Sequence, residues 1–295
     1  MRETKSPTPG ERILAALGHI SILLMGVGIF APALIWVIKR RKSTYTSFQA
    51  LQALGFEVFF TFYATLIVLV LLIVLILLVF VGTEYKVAAA EWTSIVNIGV
   101  VVLSIGLIGM YLLVGIVGAL ACLFGKEFRY PFLGKRLAAY LRQDSAEGID
   151  QEHEDRYVAA MGHAGVMIQF LGIAAPLIAW LACKGRSQLL HFQSLQALVF
   201  QASGIAIWSA FSLILVGFFG LVLVLVTMGD KLPAMTIGAV DGFSIALGVI
   251  SFILILIFML FWPLLSTLGL VASYRLLKGR DYEYPLVGKW VKQWA

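Results

Sequence analysis

The chain has 295 residues, of which 61% are hydrophobic and 13% charged, against about 25% charged in a typical soluble domain. That places it in the membrane class. The net charge of +6 reads as loop charge that sets membrane orientation rather than as a nucleic-acid footprint, so nucleic acid is not an expected partner. Two cysteines, Cys122 and Cys183, lie in or beside apolar segments, which supports neither a disulfide framework nor a zinc site.

Residues 1–11 are polar with two prolines and read as a disordered tail. Residues 13–38 are apolar but interrupted by Gly26, Gly28 and Pro32. Each arm is then too short to cross a hydrocarbon core of about 30 Å. A helical hairpin is expected, re-entrant or lying shallowly in the interface. The start also looks like a secretory signal, but a strongly basic run follows at once and the pattern recurs inside the chain, which argues against cleavage. Lys39 to Lys42 fix an aqueous boundary, because each charge at mid-bilayer costs about 2.5–3.5 kcal/mol.

A long helix is predicted from about 47 to 81. Gln49, Gln52 and Glu57 sit in its interfacial third, and the membrane span follows. After a loop at 82–91 a second long helix runs from Trp92 to Phe124. Its glycines at 99, 106, 109, 115 and 118 suit close helix packing. Residues 126–143 then return to water. Beyond Pro131 they read as a short basic amphipathic helix, with Leu133, Leu137, Tyr140 and Leu141 on one face and Lys135, Arg136 and Arg142 on another. Such helices lie on anionic membrane surfaces. Residues 144–155 carry six acidic residues in twelve positions and read as a flexible linker.

The second half repeats the first. At an offset of 144, Gly18, His19, Pro32, Trp36, Gln49 and Gln52 meet Gly162, His163, Pro176, Trp180, Gln193 and Gln196. Later the offset is 154, and Tyr130-Pro131 meets Tyr284-Pro285. The units are 12–143 and 156–295. The second has a broken segment at 158–182, long helices at about 190–227 and 243–277, a kink at Pro263, and a terminal interfacial helix bearing Trp290 and Trp294. The fold expected is an all-α integral membrane protein of two tandem pseudo-symmetric units, each a short broken hairpin plus two long transmembrane helices.

Charge decides the topology. If both broken segments are hairpins, twenty of the twenty-two Lys and Arg residues share one side; if each crosses once, they divide eleven to eleven. The positive-inside bias favours the hairpins, parallel units, and both termini cytoplasmic in a multi-pass protein of the plasma or inner membrane.

Ala15-Ala16-Leu17-Gly18-His19, the stretch from Pro32 to Lys42, Phe48-Gln49-Ala50-Leu51-Gln52-Ala53-Leu54 and Glu127-Phe128-Arg129-Tyr130-Pro131, with their counterparts at 159–163, 176–186, 192–198 and 281–285, form an ordered set. On these features each unit resembles a widespread prokaryotic membrane domain of unknown function. That domain is distantly related to the membrane subunit of the chloroplast inner-envelope protein translocon. The resemblance implies a helical bundle with no established enzymatic activity, in a scaffolding or translocation-associated role.

His19 and His163 are the most suggestive residues. Two equivalent histidines suit a metal or a proton relay, yet no carboxylate or cysteine is close in sequence. The favoured reading is that each bonds a carbonyl freed at the hairpin break. Gln49, Gln52, Gln193 and Gln196 either line a polar path or, as favoured, join helices. Glu57 faces Gln201 across the repeat, so a hydrogen-bonding role outweighs a charged one. No nucleophile triad, phosphate loop, carboxylate dyad, cofactor motif or metal motif emerges, and no enzymatic activity is expected. The partners expected are the bilayer with its anionic headgroups, and either another membrane protein or a further copy of the chain. A small-molecule or ion transporter with a site between the units is the alternative.

Overall fold

The computed structural model describes residues 6–84, 89–145, 148–183, 187–228 and 237–294. In chain order the helices are α1 (Pro9–Ile20), α2 (Phe30–Lys39), α3 (Thr44–Glu84), α4 (Ala89–Leu123), α5 (Leu133–Tyr140), α6 (Gln151–Ala164), α7 (Ala174–Cys183), α8 (Gln188–Met228), α9 (Ile237–Leu277) and α10 (Val287–Val291). No strand occurs among the described residues. The molecule is an all-α protein of two like units.

α1 starts earlier than the polar composition of residues 1–11 suggests. Thr8 caps it and Glu11 closes a reciprocal capping box, satisfying two amide donors at the helix start. Residues 1–5 lie outside the described residues. Single 3₁₀ turns follow, Ser21–Leu24 and Val27–Ile29, and the chain reverses at Met25 and Gly26, where φ is positive. α2 then packs back along α1. Pro32 is not the break: it sits in the first turn of α2, where its missing N–H costs nothing. The turn is closed by Gly28, where a Cβ would stand 2.3 Å from the Ser21 carbonyl oxygen. Its twin Gly172 does the same against Gly165 in the second hairpin. There the reversal falls at Ile168 and Gln169.

α3, at 41 residues, is roughly 60 Å long. Phe48, Leu51, Leu54 and Val58 are buried against the hairpins, whereas Phe59, Tyr63, Leu66, Ile73, Ile76 and Phe80 are exposed. α4, α8 and α9 divide in the same way, and the exposed apolar stretches match a hydrocarbon core of about 30 Å. A fifth stretch, Gln151–Cys183, is also long and apolar enough to cross. Its backbone is folded at Ile168–Gln169 and α7 packs on α6, so it is a hairpin rather than a straight span. Of the glycines read as packing surfaces on α4, Gly115 and Gly118 touch the hairpin and the loop after α4, while Gly99, Gly106 and Gly109 meet no side chain. Parts of the loops expected at 82–91 and 228–241 lie outside the described residues.

Two other expectations are corrected. The acidic stretch 144–155 is a connection only as far as Asp150, whose side chain caps α6 by accepting from the His153 amide; Glu154 and Asp155 are helical and buried. The apolar face of α5 does not lie on lipid either. Leu137, Ala138 and Leu141 join the main core with Tyr157, Val158 and Met161 of α6.

The units lie side by side in the same sense. Arg40, at the end of α2, reaches Glu154 and Asp155 at the start of α6, and Tyr157 donates to the Leu51 carbonyl at 3.2 Å. The polar ends of both units are therefore adjacent, and the second unit is not inverted.

Candidate functional site

Each unit carries one buried polar cluster where the hairpin, the first third of the long helix and the turn before Pro131 or Pro285 converge. In the first, His19 Nδ1 lies 2.8 Å from the Tyr130 hydroxyl and Nε2 lies 2.9 Å from Gln49 Oε1. Gln49 Nε2 donates to the Phe128 carbonyl at 3.1 Å, and Gln52 Nε2 donates to the same oxygen at 2.8 Å. Gln52 Oε1 accepts from the Tyr130 amide at 3.1 Å. The second cluster repeats every contact. His163 bonds Tyr284 at 3.1 Å and Gln193 at 3.0 Å, and Gln193 and Gln196 both donate to the Tyr282 carbonyl. Gln196 Oε1 accepts from the Tyr284 amide at 2.8 Å. Phe56 stacks on Tyr130 and Phe200 on Tyr284 at ring separations of 4.2 and 4.0 Å.

These contacts fix the proton positions. A backbone amide can only donate, so Gln52 presents Oε1 to Tyr130; a carbonyl can only accept, so Gln49 presents Nε2 to Phe128. Gln49 Oε1 is then left for the imidazole, and His19 must carry its proton on Nε2. Nδ1 accepts from the Tyr130 hydroxyl. Both ring nitrogens are occupied with the ring neutral. Burial lowers the His19 pKa to about 4, the bond to Gln49 opposing the shift; α1 is not one of the spanning helices. The expected carbonyl partner of the histidines is replaced by a tyrosine and a glutamine. A ring with two committed nitrogens has no lone pair to offer a metal. Among the described residues no three His, Cys, Asp or Glu side chains gather.

Glu57 lies inside the bundle. It is buried and accepts from the Tyr111 hydroxyl at 2.6 Å. Its twin Gln201 does not reproduce that bond and donates instead to the Gly162 carbonyl at 2.7 Å. Gln49, Gln52, Gln193 and Gln196 tie a long helix to a loop, whereas Gln201 ties α8 to α6. Tyr130 and Tyr284 are not among the residues the sequence singles out, although the repeated Tyr-Pro pair carries them. A third polar group was also missed. The Trp36 indole donates to Glu154 at 2.7 Å, Arg40 bonds Glu154 at 3.3 Å and also pairs with Asp155, and Arg40 Nη1 donates to the Cys183 sulfur at 3.0 Å. This group joins the two units.

Fold and clusters together define a multi-pass α-helical membrane protein built from two copies of one module, each fastened at its polar end by a His–Gln–Tyr network. The chain belongs to the magnetosome magnetite crystal formation protein family, MamF/MmsF, whose match covers residues 10–137 and again 154–291. No curated protein and no solved structure matches it. The likeness to a translocon subunit finds no counterpart in these comparisons.

Proposed function

We propose that the chain is a non-enzymatic structural protein of a bacterial membrane of the plasma or inner-membrane type, with both termini cytoplasmic. In the setting its family's name gives, it serves the membrane within which magnetite crystals form. One observation carries this reading. Both histidines and Gln49, Gln52, Gln193 and Gln196, six of the side chains that sequence offers as chemical candidates, are spent on internal bonds that tie each hairpin to its long helix and turn. Lys135, Arg136 and Arg142 are exposed at the polar end, where they suit anionic headgroups.

The test is expression in a magnetite-forming cell stripped of its own family members. Restored crystal size, with Glu57→Gln as effective as the parent chain, supports the reading. If Glu57→Gln abolishes crystal growth while the folded protein persists at the parent level, a proton or cation role replaces it.

A further inference from the structure

The ends of α4 and α9 are twins in position but not in chemistry. Gly115 and Gly269 fix their register, since each stands against the backbone carbonyl of a twin histidine, His19 or His163. Counted on from there, Leu120, Ala121 and Phe124 of the first unit correspond to Tyr274, Arg275 and Lys278 of the second. Both helices end at the polar side of the bundle. A cation just beyond each end follows from the positive-inside bias alone, and Lys126 and Arg280 supply it in both units. Arg275 and Lys278 are additional. Arg275 lies within the last turn of α9 and Lys278 directly after it.

These cations line a cleft of about 620 Å³ along α9, together with Leu270, Val271, Tyr274 and Arg280. The cleft is apolar at Leu270 and Val271 and basic at its other end. From Val271 to Lys278 the helix rises roughly 10 Å, enough to pass from acyl chains through a headgroup layer of about 5–8 Å. Arg275, Lys278 and Arg280 are exposed, and among the described residues no carboxylate pairs with them. The acids that follow in sequence are already engaged, Asp281 with Arg156 at 2.9 Å and Glu283 with Lys292. Aromatic rings position two of the cations without neutralising them. Tyr282 lies 5.5 Å from the Arg275 guanidinium, and Tyr274 lies 5.8 Å from the Lys278 ammonium. Three uncompensated positive charges beside an apolar wall suit a ligand whose anionic group adjoins its own hydrocarbon. A soluble anion makes no use of Leu270 and Val271. A zwitterionic lipid brings a further cation to the three already present.

We propose that this cleft binds one anionic phospholipid of the leaflet next to the polar ends of the units. Its phosphate sits on Arg275, Lys278 and Arg280, and an acyl chain runs along Leu270 and Val271. Basic pockets beside spanning helices recognise anionic headgroups in this way. The first unit, with Leu120, Ala121 and Phe124 at these positions, has no such site. The site is also separate from Lys135 and Arg136 on α5, and it does not depend on the setting in which the protein works.

The experiment is native mass spectrometry of the full-length protein in mild detergent with an equimolar mixture of phosphatidylglycerol and phosphatidylcholine of matched acyl chains. The parent should retain one phosphatidylglycerol in preference to phosphatidylcholine. Arg275→Ala with Lys278→Phe, which installs the first unit's residues, should abolish that preference. Lys135→Ala with Arg136→Ala should keep it, and inorganic phosphate should not displace the lipid. Arg275 and Lys278 are surface positions, so an unchanged melting temperature in the absence of lipid confirms folding. If the double variant does not fold, Lys278→Phe alone carries the same test and should weaken the preference. Equal retention of both lipids by the parent overturns the proposal, as does an undiminished preference in the folded Arg275 and Lys278 variants. Displacement by inorganic phosphate also overturns it and assigns the cations to a soluble anion.

Discussion

At the level of single residues, the twin networks are short chains of donors and acceptors anchored at both ends by backbone groups. Leaving a buried polar group unpaired costs about 1–3 kcal/mol. His19→Leu strands the Tyr130 hydroxyl and removes one of the donors to Gln49. We expect a loss of that order in detergent unfolding, and a similar loss for His163→Leu. The two should add, because the clusters share no residue. pH acts on the same ring. Its folded pKa lies below the unfolded value of about 6.5, so its contribution is fully present above pH 6.5. It falls as pH drops toward 4, because the unfolded chain takes up a proton that the folded chain refuses. Nitrogen-15 NMR should show His19 protonated on Nε2 alone at neutral pH. A doubly protonated ring at pH 6 contradicts the network.

At the level of elements, much was legible and the reasons are physical. Long apolar stretches bounded by basic runs admit one reading, so α3, α4, α8 and α9 fall close to where hydropathy places them. The interruptions at 26–32 showed that the segment could not be a straight span, but not which residue turns the chain. Proline draws the eye, yet Pro32 merely begins α2, and the turn depends on Gly28 meeting Ser21. Partners in the clusters escaped because they lie far apart in sequence. His19 and Tyr130 are 111 positions apart, and no local period connects them. The recurrence of both residues at the repeat offsets was the available signal. Glycine tests the same point. Gly28→Ala and Gly172→Ala should each lower the melting temperature and the yield of folded protein, since their Cβ atoms would fall 2.3 and 1.7 Å from carbonyl oxygens. Gly99→Ala and Gly106→Ala, facing open space, should leave both unchanged.

At the level of the whole molecule, the joint between units sets one buried cation beside its shared apolar core. Composition marks residues 144–155 as a solvated linker, but Glu154 and Asp155 find Arg40 more than a hundred positions away and are buried with it. Removing one partner of a buried charge group costs about 3–5 kcal/mol, because the charge left behind has lost both water and counterion. Arg40→Met therefore strands two carboxylates on α6, against only the Trp36 indole. The spanning helices do not depend on this contact, so the damage should be confined to the joint. We expect Arg40→Met to accelerate protease cleavage between residues 144 and 150, with the protein still inserted in the membrane. Adding Glu154→Gln and Asp155→Asn removes the stranded charges and should return cleavage most of the way to the parent rate. If the triple variant is cleaved as fast as Arg40→Met alone, the hydrogen bonds and packing of the guanidinium, rather than its charge, hold the two units together.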